Sequence, residues 1–149
     1  MRAVVQRVSC ARVTVAEEEA CSMGEGLLAL IGVGRGDTAA QAQELARRLV
    51  HLRVFDDVER RMNLSLLDTG GALGLVSQFT LYGDARQGRR PSYAAAAPAA
   101  EAAPLIDALG EYARGLGVPV VSGRFQAMMN VALVNSGPVT ILLDTAKQF

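Results

Sequence analysis

The stretch LLALIGVGRGDTAAQAQELARRLVHL, residues 27–52, decides the fold class. Its first seven residues, Leu27 to Val33, carry apolar side chains at every position except Gly32. A run of that length suits a strand buried on both faces and is too short to cross a bilayer. Asp37 follows as an expected helix N-cap. Ala42, Leu45, Leu49 and Leu52 then recur at steps of three and four, which predicts one apolar stripe on a helix of about four turns. Arg47 and Arg48 fall off that stripe and are expected to face solvent. A doubly buried strand feeding an amphipathic helix is the unit of a layered α/β fold.

Working outward, residues 2–8 and 11–16 are rich in valine and read as two adjacent strands, with Ser9-Cys10-Ala11 between them. Gly24 and Gly26 bracket a turn. Arg53-Val54-Phe55 reads as a short strand leaving the helix. Residues 56–71 are polar and turn-rich, with Met62 and Leu64 as anchors. Leu73 to Leu81 reads as a strand between Gly70-Gly71 and Gly83-Asp84. Residues 84–98 read as a loop whose edge is basic through Arg86, Arg89 and Arg90. The alanine-rich segment 94–103 favours helix. Leu105, Ile106, Leu109, Ala113 and Leu116 mark a second amphipathic helix, ended by Gly117 with Pro119 close behind. Residues 118–121, 128–135 and 139–144 read as the last strands, the final two separated by an Asn135-Ser136-Gly137-Pro138 turn. No internal repeat or linker divides the chain. The expectation is one domain over residues 1–149, an α/β fold with a layered β/β/α mixed sheet of barrel-like form and two long helices on one side.

The composition is that of a soluble globular protein: 149 residues, 50% hydrophobic, 20% charged and a formal net charge of zero. Zero net charge argues against holding nucleic acid by bulk electrostatics, so any RNA contact must be local. Cys10 and Cys21 form no C-x-x-C pair and are expected to be small buried residues in a reducing compartment. The opening residues lack the apolar run of a signal peptide, and the expected location is cytoplasmic.

The usual catalytic equipment is missing. His51 is the one histidine, and helical spacing puts it off the apolar stripe, away from any triad. No cluster with metal-ligand spacing and no nucleotide-binding loop is present. Asp56-Asp57 reads as a solvated pair. No cofactor or metal is expected. Any catalysis here must use backbone groups, neutral side chains or the substrate itself.

Two segments stand out. Val76-Ser77-Gln78-Phe79-Thr80-Leu81 places three polar side chains in an apolar run just before a turn. Such a pattern fits a strand with alternate residues in water as well as a strand end facing a cleft. Asn135-Ser136-Gly137-Pro138-Val139-Thr140 joins two apolar strands. It fits a plain hairpin turn, and equally a backbone elbow in which glycine allows close approach to a ligand.

Together, and in this order, the two segments resemble the signature motifs of the D-aminoacyl-tRNA deacylases. The resemblance covers nearly the whole chain: Ala3-Val4-Val5-Gln6-Arg7-Val8, Arg60-Arg61-Met62-Asn63-Leu64, Arg89-Arg90-Pro91-Ser92-Tyr93, Gly123-Arg124-Phe125 and Met129 are similar to further family stretches. Ser136 departs from a common aspartate and Gln126 from a common small residue. A related branch that edits L-alanyl-tRNA has a changed first motif, so intact Ser77-Gln78-Phe79-Thr80 points to the D-specific branch.

The resemblance implies hydrolysis of D-aminoacyl-tRNA, and of glycyl-tRNA, by a homodimer. In that dimer a cis Gly137-Pro138 elbow from one subunit enters the other's pocket and rejects L-amino acids. It implies Ser77, Gln78, Phe79 and Thr80 as the catalytic segment, with backbone N–H groups near Phe79 and Thr80 as oxyanion donors. Thr80 would position groups, no base being at hand to activate it as a nucleophile. The ribose 2′-hydroxyl of the substrate would assist. Gly137, Pro138, Met129 and Arg7 would bind substrate, Arg7 by bracing the elbow. Arg86, Arg89 and Arg90 are candidate phosphate contacts. Two rival readings are a hydrolase of small D-amino acid esters or amides that needs no tRNA, and an RNA-binding module without turnover.

Overall fold

The computed structural model describes residues 1–149. Its backbone runs β1 (Arg2–Val15), β2 (Glu18–Met23), β3 (Gly26–Gly32), α1 (Ala39–Val50), β4 (Phe55–Asp56), β5 (Met62–Leu64), α2 (Leu66–Thr69), β6 (Ala72–Ser77), a 3₁₀ turn (Phe79–Tyr82), α3 (Ala99–Gly115), β7 (Val120–Ser122) and β8 (Asn130–Asp144). The main sheet has the order β2-β1-β3-β6-β7, and β8 adds to β1 on its other side. Pairing is antiparallel around β1 and parallel for β3–β6 and β6–β7. β2 comes back close to β7, so the mixed sheet is nearly closed. β4 and β5 form a separate two-stranded ribbon.

The doubly buried strand expected at 27–33 is present. Six of the seven β3 residues are buried, with Leu30 half-buried. One face of the sheet packs against α1 and α3 in a core that includes Leu27, Ile31, Leu45, Leu49, Leu73 and Leu109. A smaller cluster of Val8, Ala11, Val13, Leu28 and Val76 fills the inside of the curved sheet. α1 buries Ala42, Leu45, Ala46, Leu49 and Val50, and α3 packs beside it. There are three α-helices, the third being the single-turn α2 that a polar, turn-rich segment concealed. No helix is long and apolar enough to cross a membrane.

Several boundaries differ from the sequence-based expectation, each for a local reason. Residues 2–15 form one strand, because Ser9-Cys10-Ala11 stays in the ladder opposite β8 and the register shifts there bend the chain without turning it. The reversal comes at Ala16-Glu17, which take φ 47° and 69°. Two positive φ values suit a tight hairpin, but the residues lack the Asn-Gly signature that announces one. Cys10 is exposed on this strand and Cys21 half-buried. Thr38, one residue after Asp37, caps α1. Its hydroxyl accepts from the Ala40 N–H at 3.3 Å, and its own N–H donates to the Gln41 side chain at 2.8 Å. Asp37 is already committed to the Met1 ammonium (2.8 Å) and the Gly34 N–H (2.7 Å). Arg48 does not point freely into water, since it donates to the Asp144 carbonyl at 2.8 Å. Met62 is exposed and does not anchor its loop; Leu64 packs against the core.

At the C-terminal end, residues 130–144 are also one strand. Between Val8↔Asn135 and Gln6↔Thr140, the β1 side spends one residue and the β8 side four, so Ser136–Val139 leaves the ladder as an excursion. Asn135 closes it: its side-chain oxygen accepts from the Val139 N–H at 3.0 Å and its amide nitrogen donates to the Thr140 hydroxyl at 3.2 Å.

Leu45 is fully buried at the centre of the helix–sheet contact. Leu45→Ala is expected to destabilise the fold by about 2–5 kcal/mol through lost transfer energy and an unfilled cavity. A urea unfolding midpoint compared at constant m-value checks this.

Candidate active site

Sheet topology brings the ends of β3 and β6 together, and the first expected motif is set by how those strands stop. The β3–β6 ladder ends at Ile31↔Ser77, and the Gln78 N–H donates to the Ile31 carbonyl at 2.7 Å. Beyond that point the chain curls away. Leu81 N–H reaches the Gln78 carbonyl (3.2 Å) and Gly83 N–H the Thr80 carbonyl (2.9 Å). Residues 79–82 are therefore a 3₁₀ turn, not the strand end expected from sequence. The first donors of such a turn have no partner within it. With Leu81 as the first residue bonded back, the N–H groups of Phe79 and Thr80 are left over.

That turn borders a largely apolar cavity of about 750 Å³. Its walls include Ile31 and Val33 from the end of β3, Ser77, Gln78 and Phe79, Ala96 and Ala102 near the start of α3, and Phe125, Met128 and Met129 ahead of β8. Phe79 is 58% exposed and meets Tyr93 edge-on, with ring centroids 5.1 Å apart. The cavity thus gathers Ser77, Gln78, Phe79 and Met129 from the expected set. Thr80 sits just outside its wall, and the Gln78 side-chain amide donates to the Thr80 hydroxyl. Gly123 contributes room: a methyl group there would meet the Met129 sulfur at 2.7 Å.

No base stands near Thr80 in the hydrogen-bond pattern. His51 lies exposed at the end of α1, its Nδ1 paired with the Arg47 carbonyl at 2.9 Å. Nowhere do three His, Cys, Asp or Glu side chains come together. The chemical resources of the cavity are backbone donors, the amides of Gln78 and Gln126, the hydroxyls of Ser77 and Tyr93, the Arg35 guanidinium at its edge and an apolar wall.

Gly137 and Pro138 are not in that cavity wall. They form an elbow at the excursion in β8, with a cis peptide bond between them and Gly137 at φ 123°; Gly137 and Pro138 are both exposed. Arg7 holds the elbow from beneath. Its Nε donates to the Ser136 carbonyl at 3.0 Å, and one terminal nitrogen donates to the Val54 carbonyl at 2.6 Å and contacts Asp56 at 3.3 Å. Sequence reasoning misses Asp56 as a partner for Arg7; nothing in a pair of adjacent acids marks which arginine will reach them. Asp57, its neighbour, instead accepts from the backbone N–H groups of Glu59 and Arg61. Those bonds, the one to Arg61 first, hold its carboxyl below the usual range.

A second hollow, polar and of about 780 Å³, lies on the far side of the 3₁₀ turn. Arg86 lines it, already paired with Asp84 at 2.6 Å. The Arg86 guanidinium holds the Asp84 carboxyl well below the usual carboxylate range. Arg89 and Arg90 are exposed and line neither hollow. Tyr82 stands between turn and hollow. Its hydroxyl reaches Asp37 at 3.4 Å, and the Arg2 guanidinium lies 4.4 Å from its ring centre.

A family model described as D-Tyr-tRNA(Tyr) deacylase matches residues 4–144. A D-aminoacyl-tRNA deacylase of Roseiflexus sp. (strain RS-1) is 60% identical over 98% of this chain and 94% of its own length. A second, of Desulfitobacterium hafniense (strain DSM 10664 / DCB-2), is 52% identical over the whole of both chains. Among solved structures, one described as c-Myc DNA Unwinding Element Binding Protein matches with a TM-score of 0.92 at 35% identity, covering 97% of this chain and 99% of that one. A probable eukaryotic D-amino acid tRNA deacylase matches in fold, with a TM-score of 0.78 at 17% identity over 95% of this chain and 97% of its own.

Burial, reinforced by the Asp37 charge, pushes the Tyr82 phenol up to about 12. The folded state therefore holds the Tyr82 proton above the pH at which the unfolded chain releases it. Its stabilising contribution is complete below about pH 10 and is lost as pH rises toward 12. In an absorbance titration of tyrosinate, Tyr82→Phe is expected to remove a component with a midpoint near 12. Loss of a component near pH 10 instead would contradict the burial argument.

Proposed function

The chain belongs to the D-Tyr-tRNA(Tyr) deacylase family and is a D-aminoacyl-tRNA deacylase, a carboxylic ester hydrolase; we propose that it is a chiral proofreader whose site is built almost wholly from backbone. The observation that carries this reading is the apolar cavity ending on a 3₁₀ turn whose Phe79 and Thr80 N–H groups have no partner within the turn.

In this mechanism the aminoacyl ester enters the cavity with its carbonyl oxygen toward those two donors. Water attacks the carbonyl carbon, and the donors stabilise the resulting oxyanion. The tetrahedral intermediate collapses, the bond to the ribose oxygen breaks, and that oxygen leaves with a proton. Free D-amino acid and tRNA result. The ribose 2′-hydroxyl serves the proton transfers that no side chain here can serve. Gln78 and Thr80 position the turn through their mutual hydrogen bond, Ser77 shapes the pocket floor, and Met129 walls it.

Stereochemistry is read by the elbow. Gly137 and Pro138 are absent from the wall of their own cavity, and Pro138 is exposed, which supports a homodimer in which each elbow enters the other subunit's pocket. β8 pairs only with β1, leaving its other edge free, and Val134 and Leu142 are exposed along it; both features suit association of two copies. Main-chain carbonyls of the elbow hold the substrate amino group, and the space an L side chain would need is filled. A D side chain points outward. Glycine, with no side chain to exclude, passes the same filter, so glycyl-tRNA is a second substrate. The cytoplasm, where charged tRNA is used, is the compartment that fits this activity.

Three outcomes are expected. The protein releases D-tyrosine from D-tyrosyl-tRNA far faster than L-tyrosine from L-tyrosyl-tRNA, and release of D-tyrosine no faster than in buffer would remove the proposal. Thr80→Pro deletes one oxyanion donor together with the hydroxyl that accepts from Gln78, at a position where the first turn tolerates proline, and lowers kcat by about 100- to 1,000-fold or more, whereas Thr80→Ala, which keeps the donor and loses only the hydroxyl, lowers it less. Gly137→Ala puts a methyl group 2.9 Å from an Arg7 nitrogen and 2.8 Å from Val139 at a backbone angle L residues avoid. It lowers kcat/KM by on the order of 100-fold through displacement of the elbow.

A further inference from the structure

We infer that Arg35 is a phosphate clamp that seats the nucleotide preceding the terminal adenosine in the polar hollow beside Tyr82. The inference rests on the deacylase reading above and extends it to how the substrate's polynucleotide leaves the site.

Three observations converge on Arg35. The first is position. Arg35 belongs to the walls of both hollows, the apolar cavity of about 750 Å³ and the polar one of about 780 Å³. It is the one residue common to the two walls, so a nucleic-acid chain that fills the apolar cavity and continues into the second hollow meets this side chain where the two adjoin.

The second is charge. Each carboxylate in the polar hollow already faces a cation. Asp37 holds the Met1 ammonium at 2.8 Å, Asp84 holds Arg86 at 2.6 Å, and Asp144 lies 3.6 Å from Arg2. Arg35 is the cation left without a carboxylate, so the surplus positive charge falls at the boundary between the hollows.

The third is preorganisation. The Arg35 N–H donates to the Ala95 carbonyl at 3.0 Å and its Nε to the Ala94 carbonyl at 2.8 Å. The first bond anchors the backbone, and the second orients the guanidinium of an otherwise exposed side chain. Both terminal nitrogens remain without a protein partner. A guanidinium oriented through its Nε, with free terminal donors, suits two oxygens of a phosphodiester and loses less freedom on binding them than an unrestrained one. The second hollow is large enough for a nucleotide, and Gly34 on its wall lets the Tyr82 ring pack against the backbone, where a Cβ would meet the Tyr82 hydroxyl at 2.6 Å.

The test uses two synthetic esters, 3′-O-D-tyrosyl-adenosine and the D-tyrosyl ester of cytidylyl-(3′→5′)-adenosine. The second adds one phosphodiester and one nucleoside. For the unaltered protein, kcat/KM is expected to be about tenfold higher for the dinucleotide ester, in line with one hydrogen-bonded contact to a charged phosphate. That advantage shrinks as salt is raised. In Arg35→Gln the ratio between the two esters falls to about one, and in Arg35→Lys part of it returns, since a point charge replaces the fork. Thermal unfolding of each variant controls for folding, and the ratio between substrates is independent of the fraction of folded enzyme. An undiminished ratio in Arg35→Gln, or equal kcat/KM for the two esters in the unaltered protein, overturns the clamp and leaves the deacylase reading standing. Failure to hydrolyse either ester or D-tyrosyl-tRNA removes the deacylase reading and the clamp with it.

Discussion

The Arg7 guanidinium is the fixture on which the geometry of the site depends. It donates to the carbonyl of Ser136 on one side and to that of Val54 on the other, with Asp56 beside it. Those contacts tie the excursion in β8 to the segment leaving α1. Without them the four residues Ser136–Val139 would be a loop held only by Asn135. With them, the Gly137-Pro138 backbone has a set position relative to the sheet. A main-chain device can discriminate between mirror-image substrates only if its atoms hold still, because a displacement of about 1 Å is enough to spoil alignment. The cost of fixing the elbow is borne by one partly buried arginine whose donors are largely satisfied by carbonyls.

The rest of the architecture serves to aim two short irregular segments. β3 and β6 run parallel and end together, so the curl at Phe79–Tyr82 opens beside the end of β3. α1 and α3 cover the sheet on one face and supply the core that keeps those strand ends rigid. Residues 125–129 fold over the mouth of the cavity from the other direction. The resulting pocket has almost no ionisable equipment, which matches the chemistry proposed. An activated ester is a good electrophile, so stabilising its oxyanion and orienting a water can supply the greater part of the acceleration.

The layered α/β character and both long helices were legible in the sequence, because hydrophobic periodicity reports burial directly. Leu27–Val33 and the Ala42-Leu45-Leu49 stripe did this almost unaided. What periodicity could not show were places where the chain bends without changing composition. Ser9-Cys10-Ala11 is polar enough to suggest a break, yet the ladder to β8 carries the strand through it. The turn at Ala16-Glu17 has positive φ angles that neither residue advertises. The change at Gln78 from strand to 3₁₀ turn is set by the Ile31 carbonyl capturing the Gln78 N–H, a long-range bond with no local signature. The candidate site residues were legible through motif likeness, whereas Asp56 and Arg35 emerged only from distances, since their significance lies in what stands next to them.

Completion of each pocket by the elbow of a second subunit is the central claim, and subunit mixing tests it most directly. One preparation carries a defective turn, the other a defective elbow, each nearly inactive alone. If elbows complete pockets across the dimer, a mixed dimer contains one pocket with both halves intact. Equal mixing and free exchange of subunits should then restore about one quarter of the unaltered activity, as a symmetric two-site dimer requires. Activity that stays at the average of the two defective parents, under conditions where exchange of subunits is demonstrated, would contradict it.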